Sequence, residues 1–202
     1  MGATDMLAPG SAVQRSAVLR SVGVSVALAA LAISLVTASA AASGGGIAAG
    51  NAVALATGDL DTSVLAGDRD ALSIALRNLG AVALLAAGAP VLGTLTLVAL
   101  PVVGIGLGLS AAAVVEALGP VETLQRVAPY IAFELTGVVL AAGAGVLPTV
   151  HALVMAARRG SPSLPGSYAS ALPASLALTV VAALLIAVAA CIEAVVIAAH
   201  PR

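Results

Sequence analysis

Apolar runs long enough to cross a lipid bilayer recur along the whole 202-residue chain. A transmembrane α-helix needs about 20 consecutive, predominantly apolar residues. Hydrophobic residues make up 61% of the chain and charged residues 8%, whereas soluble domains contain roughly 45–50% apolar and about 25% charged residues. The runs leave no room for a separate globular domain. The sequence therefore predicts an all-α fold, a polytopic transmembrane helical bundle that forms one membrane domain over residues 1–202.

Polar stretches and clusters of proline and glycine divide the apolar sequence into about five transmembrane helices. The predicted spans are 21–42, 71–90, 95–118, 129–157 and 174–199. The aspartate-rich stretch 43–70 is predicted to be an extramembrane loop, residues 119–128 a short connection, and residues 158–173 a cytoplasmic linker. Residues 91–101 fit either a simple turn or a re-entrant segment.

The positions of the arginines predict the orientation of the chain in a cell membrane. Arg15 and Arg20 precede the first span, and Arg158 and Arg159 follow the fourth. Because basic residues are enriched in cytoplasmic loops, we expect a cytoplasmic N-terminus and an extracytoplasmic C-terminus. The run Ala38-Ser39-Ala40 also fits a signal-peptide cleavage site, but the first run is long enough to span, which favours an uncleaved anchor.

Composition also excludes several classes of protein. The net charge is −1, and the three aromatic residues include no tryptophan, so a basic surface with stacking side chains for nucleic acid is not available. The two histidines and the single Cys191 have no metal-ligand spacing. We expect neither a metal nor a cofactor.

Four polar residues fall inside the apolar runs at a similar expected depth. They are Arg77, Asn78, Glu134 and Glu193. A charged group at the bilayer centre costs at least about 2.5–3.5 kcal/mol on insertion scales, so such residues need partners or a function. The sequence predicts an intramembrane polar cluster. It is either structural, with Arg77 neutralising a carboxylate and Asn78 bonding across helices, or a site for an ion, a proton or a solute. Snorkelling to the headgroups is a third interpretation.

Two further patterns concern packing and catalysis. Gly104 and Gly108 form a small-xxx-small pair that permits close helix approach, by default within the protomer and alternatively between two copies of a dimer. Ser110 and His151 superficially resemble the serine–histidine dyad of intramembrane proteases. The predicted spans place them on opposite sides of the bilayer, however, and no oxyanion-hole donors accompany them. We therefore expect no catalytic residues and no enzymatic activity.

Three local patterns, in the right order, make the chain resemble the stage II sporulation protein M family. They are an apolar run into Asn-Leu at 74–79, a Pro-x-x-x-x-Glu-Leu element at 129–135, and Ala-Ala-x-Ile-Glu-Ala at 189–194. These elements contain Asn78, Glu134 and Glu193. Departures from the family pattern are Arg77 for the first Asn, Tyr130 for His, Ile131 for Gly and Thr136 for Pro.

The resemblance implies a membrane component of an envelope machine rather than an enzyme. The sporulation member acts in septal peptidoglycan remodelling with peptidoglycan-cutting partners, so any hydrolase activity would belong to a partner. The resulting hypothesis is a non-enzymatic, oligomeric scaffold or recruiter, a dimer or a complex with other membrane proteins. The competing hypothesis is a transporter or permease component whose polar layer handles a proton, an ion or a small solute, possibly with a separate ATPase.

Overall fold

The computed structural model describes residues 10–42, 71–158 and 163–199, and these parts of the chain form helices without a strand. The helices are α1 (Gly10–Ala42), α2 (Ala71–Ala86), α3 (Thr94–Leu118), α4 (Pro120–Ala156) and α5 (Leu164–Ala199), with a 3-10 helix (Ala89–Val91) after α2. Within the described residues, five helical segments are long and apolar enough to cross a membrane. The all-α polytopic fold is therefore confirmed. The predicted loop 43–70 lies outside the described residues.

Most of the predicted connection at 119–128 is helical, because α4 begins at Pro120. A single residue, Gly119, joins α3 to α4 with φ 79° and ψ 161°, a conformation that glycine tolerates. Pro120 suits the first turn, where its missing N–H has no helical partner. The Arg126 Nε donates to Glu122 Oε1 at 2.7 Å, an i,i+4 ion pair that supports the first two turns.

Most of the predicted linker 158–173 is helical as well, because α5 begins at Leu164. The Ser167 N–H donates to the Ser163 carbonyl at 3.0 Å and closes the first turn. Pro165 lies in that turn, where proline breaks no helical hydrogen bond. A proline- and serine-rich composition was thus compatible with a helix start, and only residues 159–162 of this stretch lie outside the described residues.

Helix α4 is the centre of the bundle and contacts each of the other four helices. Of its most apolar 18-residue window, 56% is buried, compared with 22–28% for the other spans. Its buried face consists largely of glycine and alanine, from Gly137 to Gly145. In lipid, no hydrophobic driving force brings helices together, so their association depends on close packing. Small side chains let helix backbones approach closely. This composition allows four helices to surround one.

Contacts along α4 fix the direction of every neighbour. The contacting pairs are Asn78 and Glu134, Leu85 and Gly145, Thr96 and Gly145, Val114 and Thr123, Val26 and Gly143, Ser21 and His151, Ser175 and Ala144, and Ile186 and Gly137. They place α2 parallel to α4, and α1, α3 and α5 antiparallel to it. One end of the bundle therefore holds the α3–α4 connection, and the other holds the α2–α3 turn. We call them the α3–α4 end and the α2–α3 end.

Two exposed arginines mark the edges of an apolar band around the bundle. Arg77 precedes Asn78 and so lies near residue 133 of α4, while Arg20 precedes Ser21 and lies near residue 152. The separation of roughly 19 residues corresponds to about 28 Å along a helix, close to the roughly 30 Å of a bilayer hydrocarbon core. The surface between these two heights is therefore long enough to cross the hydrocarbon core, and we call it the lipid-facing band.

The α2–α3 turn is held by side chains from the neighbouring helices. Leu92 (φ 57°) and Gly93 (φ 78°) adopt left-handed conformations. The Leu92 N–H donates to the hydroxyl oxygen of Tyr168 at 3.1 Å, and that hydroxyl donates to the Ala89 carbonyl. Buried Thr96 donates to the Leu85 carbonyl at 2.6 Å. The turn is a simple helical hairpin fastened to α5, rather than a re-entrant segment.

Replacing Gly145 with alanine tests the close packing of α4. The added methyl group would overlap the Leu85 carbonyl oxygen and the Thr96 hydroxyl. Because a backbone atom cannot move aside as a side chain can, we expect a cost at the upper end of about 1–3 kcal/mol. The variant should show lower abundance and a lower thermal midpoint in detergent. The matched control is Gly80→Ala, whose added methyl group meets open space and which should leave stability unchanged or raise it. Equal midpoints for the two variants would contradict this packing.

Candidate functional site

Three helices bring Asn78, Glu134 and Glu193 together near the α3–α4 end. The Asn78 Nδ2 donates to Glu134 Oε1 at 3.2 Å, which joins α2 to α4. Glu193, on α5, lies close enough for its charge to act on Glu134. All three side chains are half-buried. The parallel course of α2 and the antiparallel course of α5 bring these residues, which are far apart in sequence, to the same end of the bundle.

The depth of this polar site is the edge of the lipid-facing band, not its middle. Glu134 lies about one residue inside the height that Arg77 marks, and roughly 13 Å from the midpoint of the band. Polar groups near a helix end reach the interface at a much lower cost than groups at the bilayer centre. A site at this depth is within reach of headgroups and interfacial water.

Arg77 does not neutralise a carboxylate of the polar site, as one interpretation of the sequence predicted. Its side chain is exposed, and within the described residues it forms no ion pair with Glu134 or Glu193. Successive residues of a helix point about 100° apart, so Asn78 faces the bundle and Arg77 faces the surroundings. The neutral carboxamide, rather than the guanidinium, is the partner of Glu134. Arg77 matches the snorkelling interpretation.

A second polar pair lies at the opposite edge of the band and was missed in the sequence. His151 is 1% exposed, and its Nδ1 lies 3.1 Å from the Ser21 hydroxyl oxygen, which itself donates to the Ala17 carbonyl at 2.9 Å. The pair fastens α1 to α4. The sequence does contain a signal for the buried face of α1. Residues at every fourth position of this helix, which share one face, are all buried: Ala17, Ser21, Ser25, Ala29 and Ile33.

The glycine pair and the serine–histidine pair have different places in the fold. Gly104 packs against Val36 of α1, and the Thr37 hydroxyl donates to the Gly104 carbonyl at 3.3 Å. Gly104 therefore serves packing within the protomer, and Gly108 is buried as well. Ser110 is exposed and lies roughly 21 Å along α3 from Thr96, toward the α3–α4 end. It is remote from His151.

The chemistry available at the polar site is that of two carboxyl groups and a carboxamide. Within the described residues, no group of three or more His, Cys, Asp or Glu side chains is close enough to hold a metal ion. The Asn78–Glu134 bond satisfies a carboxyl oxygen that would otherwise be desolvated, and Glu193 adds a second acidic group within electrostatic range. The arrangement can join helices and can exchange a proton with the interface.

A double-mutant cycle tests the coupling of Asn78 to Glu134. Interhelical hydrogen bonds in membranes average about 0.6 kcal/mol and reach about 1.7 kcal/mol. We expect Asn78→Ala and Glu134→Ala each to lower the thermal midpoint in detergent, and the double variant to lose less than the sum. The exposed Glu116→Ala variant is the control and should behave as wild type. Additive losses would show that the two side chains are not coupled.

Comparison with known proteins places the chain in a family. The model of the family described as Stage II sporulation protein M matches residues 24–196. The match includes α2 to α4, most of α1 and α5, and all three residues of the polar site. No curated protein and no solved structure matches the chain. This multi-pass membrane protein therefore belongs to the Stage II sporulation protein M family.

Proposed function

We propose that this chain is a non-enzymatic component of an envelope membrane complex that scaffolds or recruits other proteins. The observation that carries the proposal is that intramembrane polar side chains form hydrogen bonds between helices. Asn78 and Glu134 join α2 to α4 at one edge of the band, and Ser21 and His151 join α1 to α4 at the other. Polar groups used in this way stabilise a rigid bundle on which partners can assemble.

The core between the two polar pairs supports the same proposal. Gly137 packs against Ile186 of α5, Gly143 against Val26 of α1, and Gly145 against the Leu85 carbonyl of α2. Backbones in direct contact at these heights separate the Glu134 edge from the His151 edge. A solute crossing the bundle would have to part these helices. Catalysis in such a complex would belong to the partners, as the family resemblance implies.

The second candidate is a transport component, and the presence of two acidic side chains, Glu134 and Glu193, at the α3–α4 end is the observation that favours it. Intramembrane acids commonly mark ion and proton pathways, and two carboxyl groups beside one carboxamide form an acidic site at the interface. A transport role of this kind needs partner helices or an ATPase subunit to complete a path. The two candidates predict different behaviour for the same substitutions.

Glu134→Gln and Glu193→Gln separate the two candidates. A glutamine at 134 keeps an acceptor for the Asn78 amide but removes the acidic group. For a scaffold, both variants should assemble, and affinity purification in mild detergent should recover the same envelope partners in the same ratio as wild type. For a transporter, the variants should assemble but lose proton or ion flux in liposomes. Co-purification of a stoichiometric ATPase would contradict the scaffold.

We further propose that the protein lies in the cell membrane with its N-terminus and its α2–α3 end in the cytoplasm. Arg15, Arg20 and Arg158 cluster at that end, which the enrichment of arginine in cytoplasmic loops favours. The α3–α4 end, with Glu116 and the Glu122–Arg126 ion pair, would then face the outside.

Cysteine labelling on intact cells tests this orientation. In a Cys191→Ala background, a membrane-impermeant maleimide should label Glu116→Cys directly. It should label Ser163→Cys only after the membrane is permeabilised. Both positions are exposed, so the comparison is matched for accessibility. Direct labelling at Ser163 together with protection at Glu116 would reverse the proposed orientation.

A further inference from the structure

The charged side chains of the described residues are divided unequally between the two ends of the bundle. The acidic residues of this part of the chain all lie toward the α3–α4 end: Glu116, Glu122, Glu134 and Glu193. Three arginines lie at the opposite, α2–α3 end: Arg15, Arg20 and Arg158. Within residues 10–42, 71–158 and 163–199, no acidic side chain lies at that end to neutralise them.

Two of these arginines lie beside the same contact between α1 and α4. Arg20 directly precedes Ser21, whose hydroxyl oxygen lies 3.1 Å from His151 Nδ1. Arg158, just beyond the C-terminal end of α4, lies close enough for its charge to act on His151. Each helix therefore contributes one guanidinium group to one place, which we call the basic seam (Arg20 and Arg158). Like charges repel each other, so the basic seam favours an anion.

The depth of the basic seam indicates which anion it meets. Arg20 lies at the edge of the lipid-facing band, and Arg158 lies roughly 9 Å beyond that edge, six residues further along the chain of α4. The headgroup region adds about 5–8 Å to each side of the hydrocarbon core. An arginine side chain extends its charged end toward the interface while its stem packs on apolar surface. Both guanidinium groups therefore reach the layer of lipid phosphates.

The chemistry of arginine suits an anionic phospholipid headgroup. The planar guanidinium presents five N–H donors, which match phosphate oxygens in pairs. Arg20 is exposed and Arg158 is half-buried, so both side chains can be approached from the headgroup layer. Basic pockets between transmembrane helices bind anionic headgroups. A zwitterionic headgroup is a poorer match, because no acidic side chain of the described residues lies at this end to pair with its cation.

We propose that the basic seam binds the phosphate of an anionic phospholipid and that the bound headgroup links α1 to α4. The lipid adds a second bridge outside the Ser21–His151 contact. A ligand that binds only the folded state stabilises it, so the stability of the bundle depends on anionic lipid. The inference does not rest on the proposed function, and it holds for either orientation, because phosphates line both faces of a bilayer.

Retention of lipid by the full-length protein tests the proposal. Protein reconstituted in nanodiscs of mixed phosphatidylglycerol and phosphatidylcholine is released for native mass spectrometry. Wild type should retain phosphatidylglycerol several-fold more often than phosphatidylcholine, and the double variant Arg20→Gln/Arg158→Gln should lose this preference. The matched control is Arg77→Gln, an exposed arginine at the opposite edge of the band, which should keep it. Equal retention of the two lipids by wild type, or the same loss in Arg77→Gln, would overturn the proposal.

Thermal unfolding separates lipid binding from folding and from the binding of a free anion. In phosphatidylcholine alone, wild type and Arg20→Gln/Arg158→Gln should have the same thermal midpoint. Adding phosphatidylglycerol should raise the midpoint of wild type but not that of the double variant, and high salt should reduce the rise because it screens exposed charges. A rise of equal size in the double variant would overturn the proposal. So would an equal rise of the wild-type midpoint when inorganic phosphate replaces phosphatidylglycerol.

Discussion

Close backbone approach along α4 is the constraint on which the rest of this bundle depends. Lipid tails are as apolar as leucine, so transmembrane helices gain little from hiding large apolar side chains from one another and associate through packing and hydrogen bonds. A central helix can be surrounded by four others only if its own side chains are small. The glycine and alanine stretch from Gly137 to Gly145 meets that condition, and a methyl group at Gly145 would overlap the backbone of α2.

The polar side chains of the bundle follow from the same geometry. Once the helices are in contact, polar groups at the two edges of the band meet partners across the interfaces, Asn78 with Glu134 and Ser21 with His151. Each pair has α4 as one member, so the central helix is fastened at both edges and packed by small residues between them. Both pairs lie about where the hydrocarbon meets the headgroups, where polar groups cost least.

Much of the candidate site was predictable, because a carboxyl group in an apolar run is conspicuous. Asn78, Glu134 and Glu193 were identified from depth alone, since counting residues from span ends gives height along a helix. Arg77 shared that depth but not the direction, because a step of one residue turns the side chain by about 100°. His151 was overlooked because its partner Ser21 lies 130 residues away, and sequence distance carries no signal for such a contact. The helical conformation of residues 120–128 and 164–173 could not be predicted, because proline and serine occur both in linkers and in first helical turns.

The sequence by itself determined that this protein lies in a lipid bilayer, how many helices can span it, and to which family the chain belongs. Apolar length and the scarcity of charge decide whether a segment enters lipid, and both can be counted along the chain. Only the tertiary structure decided which helix is central and which polar residues become partners. These depend on the rotation of each helix about its axis, which is set by contacts between residues that are distant in the chain.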